Sequence, residues 1–171
     1  MLGISGFGLF HTLISVIALA AGALCLARRR EIAWAWRSGR IYVLLTVASC
    51  VTGFFIFHHG GFGKPHALGI VTLLVLGLAV FAERRRVGIW RYVSAVAYSL
   101  TFFFHFIPGF TETLTRVPAA RPWASGPDDP RLAMLIGVVF ALFLVGATAQ
   151  VLRIRAQRAG SPLAGAHPPQ A

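Results

Sequence analysis

Long apolar runs separated by short arginine-bearing stretches constrain this chain more than any other feature. Hydrophobic residues make up 57% of its 171 positions and charged residues only 12%, whereas ordinary soluble domains carry roughly 25% charged residues. A helix crossing a ~30 Å hydrocarbon layer needs about 20 mostly apolar residues, so the length accommodates five such helices and little besides. The expected class is therefore an all-α membrane protein, a five-transmembrane-helix bundle.

The runs lie at about 4–27, 41–58, 66–82, 89–107 and 131–151, forming one transmembrane helical domain over 1–152. Arg28, Arg29 and Arg30 stop the first. The doublet His58-His59 and the turn-forming stretch Gly60-Gly61-Phe62-Gly63-Lys64-Pro65 end the second. Pro65 suits the start of the third, where a missing N–H is no loss, and Glu83-Arg84-Arg85-Arg86 closes it. Pro108-Gly109 is read as the end of the fourth. The connection from Phe110 to Pro130 is the only long one, and its first part either extends the fourth helix or forms a short surface helix. Residues 153–171, rich in Pro, Ala and Gly, are expected to be a disordered cytoplasmic tail.

The net charge of +11 would point a soluble protein towards nucleic acid, but that requires basic residues gathered on one accessible face. Here they punctuate the apolar runs, which is how a membrane protein sets its orientation. Nucleic acid is excluded as a partner, and the lipid bilayer takes its place. Twelve of the sixteen Arg and Lys fall in 28–40, 84–91 and the tail, while Lys64, Arg116, Arg121 and Arg131 fall on the other side. Since basic residues near span ends stay cytoplasmic, the N-terminus is expected outside and the C-terminus inside, in a bacterial cytoplasmic membrane.

Cys25 and Cys50 both lie in apolar runs and show no disulfide or zinc spacing. The first run is not read as a cleaved signal, because no basic residue precedes it and three arginines follow it.

With this topology the histidines gather. His11 lies about seven residues into the first span, roughly 10 Å deep at 1.5 Å per residue. His58 and His59 end the second span, His66 opens the third and His105 lies near the outer end of the fourth, so all five fall on the outer side; His167 is in the tail. Imidazoles are the commonest metal ligands, and two from facing helices at one depth hold a b-type haem. The candidate cofactor-binding residues are thus His11, His58, His66 and His105, with His59 a further candidate metal ligand. His58 pairs with His105 in this reading, and His11 with His66. Against it stands the plainer role of interfacial histidines, which bond water, headgroups or loop carbonyls.

Tyr98, Thr101 and His105 recur at intervals of three and four, which puts them on one helical stripe. Thr46, Ser49 or Cys50, and Gly53 make a similar stripe on the second span, so the two helices are expected to face each other. Such stripes either line a site or hold the bundle by interhelical hydrogen bonds. Gly69, Thr72 and Gly77, and likewise Gly137, Ala141 and Gly146, are read as small residues at which helices approach. The phenylalanine runs 54–57 and 102–104 fit an outer aromatic belt, and Trp34, Trp36 and Trp90 an inner one. No acidic residue is expected to be buried, since Glu31 and Glu83 sit among arginines and Glu112, Asp128 and Asp129 in the outer loop. That argues against a carboxylate proton relay and against paired-carboxylate hydrolysis. No serine nucleophile motif, phosphate loop or zinc-protease helix is present.

The stretch Gly39-Arg40-Ile41-Tyr42-Val43, with Ser49 and Thr52-Gly53-Phe54, resembles an uncharacterised family of bacterial membrane proteins, the domain of unknown function numbered 2306. Phe10-His11 with Ala18 to Gly22, His66-Ala67-Leu68-Gly69 and Tyr98-Ser99-Leu100-Thr101-Phe102 extend the resemblance over about residues 10–105. Two inner-side histidines of that family are replaced, one by Trp36 and one near Trp90. If the family binds haem or metal on its inner face, this member should not, and only the outer cluster remains.

Three functions are compatible with the sequence. The first is redox or metal handling with haem b or a transition metal on the outer histidines. The second is a non-catalytic accessory subunit or small-solute permeation protein without a cofactor, working with a membrane protein partner or as a homo-oligomer. The third is an enzyme acting on a lipid or quinone at the outer leaflet, which rests only on a polar loop and aromatic walls.

Overall fold

The computed structural model describes residues 6–56, 61–85, 87–118 and 120–159, and among them it is helical throughout, with no strand. Six helices follow in order: α1 Gly6–Arg29, α2 Arg37–Gly53, α3 Lys64–Arg85, α4 Trp90–Phe104, α5 Phe106–Leu114 and α6 Pro130–Ala159. Helices are the expected solution, because a single-span segment in lipid must satisfy every backbone polar group internally. Four stretches are long and apolar enough to cross a membrane: α1, α3, α6, and α4 with α5 taken together as Trp90–Leu114. The remaining predicted span corresponds to α2, which is shorter, at 17 residues, and carries Thr46, Ser49, Cys50 and Thr52.

Packing proceeds by hairpins. α1 lies chiefly against α2 and α3 against α4; α4 also carries α6, and α2 touches α3. The core where the hairpins meet holds Cys25, Ile32, Tyr42, Leu76, Ala79 and Tyr98. Close approach depends on glycine at a few points. A Cβ on Gly22 would come within 2.7 Å of the Phe102 ring and 2.9 Å of Tyr42, and one on Gly69 within 2.8 Å of Phe54. One on Gly39 would run into the Ala33 carbonyl, which is backbone and cannot swing aside. Gly77, Gly137 and Gly146, read from the sequence as approach points, have open space beside them instead.

Several boundaries differ from expectation. Pro108-Gly109 does not end the fourth span. The chain breaks step at His105 and resumes as α5, placing Pro108 in a first turn, where its missing N–H has no partner to lose. Helix therefore extends to Leu114, and the described residues between it and Asp129 run through turns and bends. The last helix runs to Ala159 rather than 151, so residues 153–159 are not part of a disordered tail. Its final turns are anchored: Arg153 donates to the Arg29 carbonyl at 2.9 Å, and the Arg158 guanidinium lies 5.0 Å from the Tyr92 ring centre and donates to the Gly88 carbonyl. Residues 160–171, including His167, lie outside the described residues.

Candidate functional site

Polar side chains concentrate at the helix junctions. Between α1 and α2, Ser15 Oγ lies 2.6 Å from Ser49 Oγ, and His11 Nδ1 lies 2.9 Å from Thr52 Oγ1. The Thr52 hydroxyl already donates back to the carbonyls of Ala48 and Ser49, at 2.8 and 3.1 Å. Having one proton, it can only accept from the ring, so His11 carries its proton on Nδ1 and a lone pair on Nε2.

The predicted stripes of the second and fourth spans meet only through Thr46 and His105; Ser49 turns to Ser15 of α1 instead, and Tyr42, outside the predicted stripe, makes the closer contact with α4. The Tyr42 hydroxyl lies 2.7 Å from Thr101 Oγ1, and the Thr101 hydroxyl donates to the Tyr98 carbonyl at 2.9 Å, which leaves the phenol as donor in the first pair. His105 Nδ1–H donates to the Thr101 carbonyl at 2.9 Å. Its Nε2 faces the Thr46 hydroxyl at 3.4 Å. Tyr42, Thr46, Tyr98 and Thr101 are completely buried. Between α4 and α6, Ser99 donates to Gln150 Oε1, and Gln150 Nε2 donates to the Arg30 carbonyl, both at 2.9 Å. That second bond holds Arg30 in the left-handed conformation (φ 65°) that turns the chain out of α1.

His66 behaves differently again. Its Nδ1 accepts the Gly63 N–H at 3.2 Å at the start of α3, and its ring lies between Phe54 and Phe62, with centroids 6.5 and 5.3 Å away. Accepting at Nδ1 puts the proton on Nε2, the opposite tautomer from His11 and His105. His11 is thus held by α2, His105 by its own helix and α2, and His66 by its own loop and two phenylalanines. Thr46 and Thr52, six residues apart on α2, lie roughly 120° apart around the helix at 3.6 residues per turn, so His11 and His105 approach α2 from different sides. His58 and His59 lie outside the described residues.

A bis-histidine haem needs two rings converging on one space with both Nε2 lone pairs available. Among the described histidines only His11 presents that state without a competing partner, and no group of three His, Cys, Asp or Glu residues that could hold a metal occurs among the described residues. Of the two expected pairs, His11 with His66 does not offer two Nε2 lone pairs, and His58 with His105 lies partly outside the described residues.

The acidic residues overturn another expectation. Glu83 is buried, 9% exposed. Its Oε2 accepts the Trp34 N–H at 2.7 Å and the Tyr98 hydroxyl at 2.8 Å, and its Oε1 accepts the Ala35 N–H at 3.1 Å. One carboxylate thus ties the α1–α2 loop to α3 and α4. The sequence did carry a signal for it: Thr72, Leu76, Ala79 and Glu83 recur at helical spacing, and all four are buried. Asp129 is also buried, and caps α6. Beside Glu83 opens a cleft of about 190 Å³ lined by Glu31, Ile32, Trp36, Arg91, Ser94 and Ala95 among others. It is smaller than the roughly 300–1,000 Å³ of typical drug-sized ligand pockets.

No protein family, curated protein or solved structure matches this chain.

Proposed function

We propose that this chain is a five-span protein of the bacterial cytoplasmic membrane, with its N-terminus outside and its C-terminus inside, acting as a non-catalytic accessory component rather than as a cofactor carrier. The observation that supports this most is how its buried polar groups are used. Ser15–Ser49, His11–Thr52, Tyr42–Thr101, Glu83–Tyr98 and Ser99–Gln150 each join one element to another, and interhelical hydrogen bonds are one of the few forces that hold helices together in lipid. Polar groups consumed in this way line no passage for a solute.

For the fifth span, α2 is about 26 Å long at 1.5 Å per residue, close to the ~30 Å hydrocarbon thickness, and it is packed between α1 and α3. Labelling single cysteines introduced at Gly126 and at Gln157 from outside intact cells checks the topology: Gly126→Cys should react and Gln157→Cys should not.

The cofactor test is direct. Purified protein should show no Soret band and no stoichiometric metal, and either signal would overturn the proposal. The redox or metal reading retains one favourable feature, the Nδ1–H···Thr52 bond of His11, since ligating histidines use such outer bonds to fix the Nε2 lone pair. If it holds, His11→Gln should abolish the absorbance or metal content just described.

A further inference from the structure

The cleft beside Glu83 has features that helix packing does not explain. Ser94 is 8% exposed, yet its hydroxyl, unlike those of Ser15, Ser38, Ser49 and Ser99, meets no partner among the described residues, and the residue lines the cleft. Arg91, one turn earlier on the same helix, makes long polar contacts among the described residues, 3.6 Å to Glu31 and 3.4 Å to Gln157. A charge-assisted hydrogen bond settles at about 2.7–2.9 Å, so these contacts, both made by Nη2, engage the guanidinium only weakly. The Glu83 carboxylate, which also lines the cleft, accepts from Trp34, Ala35 and Tyr98. α4 begins at Trp90 with no side-chain cap, so the positive end of its dipole lies beside the cleft. Ile32, Trp36 and Ala95 supply an apolar wall.

We propose that this cleft binds a phosphate-bearing anion, with Arg91 and Ser94 as its donors. Arg91 is the basic group of the described lining, set against the carboxylates of Glu31 and Glu83; Glu83 already accepts three hydrogen bonds, so the guanidinium and the Ser94 hydroxyl, not a net positive charge, are what would hold an anionic phospholipid headgroup. A free phosphate ion presents the same chemistry. Glu31 is the competing acceptor: the ligand's oxygens take over Arg91 from a carboxylate that lies too far away to bond it well. The site is independent of whether the chain is an accessory component.

The experiment uses the full chain, purified in a neutral detergent, with thermal unfolding followed during titration with phosphatidylglycerol, phosphatidylcholine or inorganic phosphate, and bound lipid counted by native mass spectrometry. A rise in midpoint with phosphatidylglycerol alone identifies a lipid headgroup site, and a rise with inorganic phosphate as well identifies an open phosphate site; both support the proposal. Losing a charged hydrogen bond should weaken binding roughly tenfold or more in Arg91→Gln and several-fold in Ser94→Ala, whereas Glu31→Gln should tighten it. Arg91 is partly exposed, so its variant should fold, and Ser94→Ala provides a second route. No shift with any of the three ligands would overturn the proposal. So would equal shifts with the two lipids, or shifts unchanged in both Arg91→Gln and Ser94→Ala.

Discussion

α2 and α6 are built on opposite principles. α2 is short, rich in hydroxyls and central: Tyr42 and Thr46 are fully buried, and its side chains bond α1 and α4. α6 is 30 residues long, and only 11% of its most apolar stretch is buried; Met134, Val138, Leu142 and Val145 are all exposed. In water the apolar helix would be the core and the polar one the surface. In lipid the apolar helix gains nothing by being enclosed, whereas each hydroxyl of the polar one must find a partner. The position of a helix in this bundle therefore follows how many hydrogen bonds it has to satisfy.

The largest expected effect of disturbing this arrangement is at Gly39. Its added Cβ would meet backbone, not a movable side chain, so Gly39→Ala should destabilise the bundle by about 3 kcal/mol, the upper part of the overpacking range. Thermal unfolding in detergent would measure it. If α2 tolerated the methyl group as well as α6 does, its description as the tightly fitted centre would be wrong.

Glu83 comes next. Glu83→Ala strips two loop N–H groups and the Tyr98 hydroxyl of their acceptor, and should cost about 3 kcal/mol or somewhat less, since bonds to a charged group are individually worth about 1.5–3 and do not add. Tyr98→Phe removes one of the three and should cost about 1.5 kcal/mol, the lower end of that range. A variant that loses stability while keeping its helix content by circular dichroism would locate the damage in the packing of the loop.

How much of this was legible beforehand follows the same division. The apolar runs of α1, α3 and α6 could be read directly, because lipid-facing helices announce themselves by composition alone. The facing pair Thr46 with His105 was half visible: spacing gave the face, and the structure gave the partner, whereas Tyr42, which bonds Thr101, lay outside the predicted stripe. Glu83 was misread because its neighbours Arg84 and Arg85 look like a solvated charge cluster, whereas at about 100° per residue a step of one or two positions turns a helix from the core to water. Whether the histidines converge was not legible, because depth in the membrane is set by position along the chain, while convergence is set by rotation about each helix axis, which a short span without an obvious polar face does not fix. The continuation of α6 to Ala159 was hidden because Arg153, Arg155 and Arg158 mark the end of the lipid-embedded part and not the end of the helix.

Smaller effects are expected along the hydroxyl pairs. Tyr42→Phe and Thr101→Val should each cost roughly 0.6–1.7 kcal/mol, the range found for hydrogen bonds between membrane helices. The double variant should cost less than the sum, because the two share one bond. Strict additivity would mean that the 2.7 Å contact contributes nothing to holding α4 on α2.

At the start of α6 the sign of a pH effect can be worked out. The Asp129 carboxylate accepts from Ser125 N and Oγ and from the Arg131 backbone and guanidinium, which holds its pKa well below the usual carboxylate range. A group whose pKa is depressed on folding contributes stability above its unfolded pKa, and that contribution is lost as pH falls through the folded value. Unfolding midpoints should therefore be insensitive to this residue between about pH 5 and 8 and should fall below about pH 4. Asp129→Asn should flatten that acid limb, and an unchanged limb would assign it to other carboxylates.

The smallest effect is on α6 itself. Gly137 and Gly146 have nothing beside them, so Gly137→Ala and Gly146→Ala meet no steric barrier and gain helix propensity, worth up to about 1 kcal/mol per residue in an exposed helix. Stability in detergent should be unchanged or slightly raised, in contrast to Gly39→Ala on α2. A marked loss confined to protein reconstituted in a bilayer would mean that the open stripe Gly137, Ala141 and Gly146 packs on something other than lipid, and α6 would then owe its exposure to a missing neighbour rather than to its apolar composition.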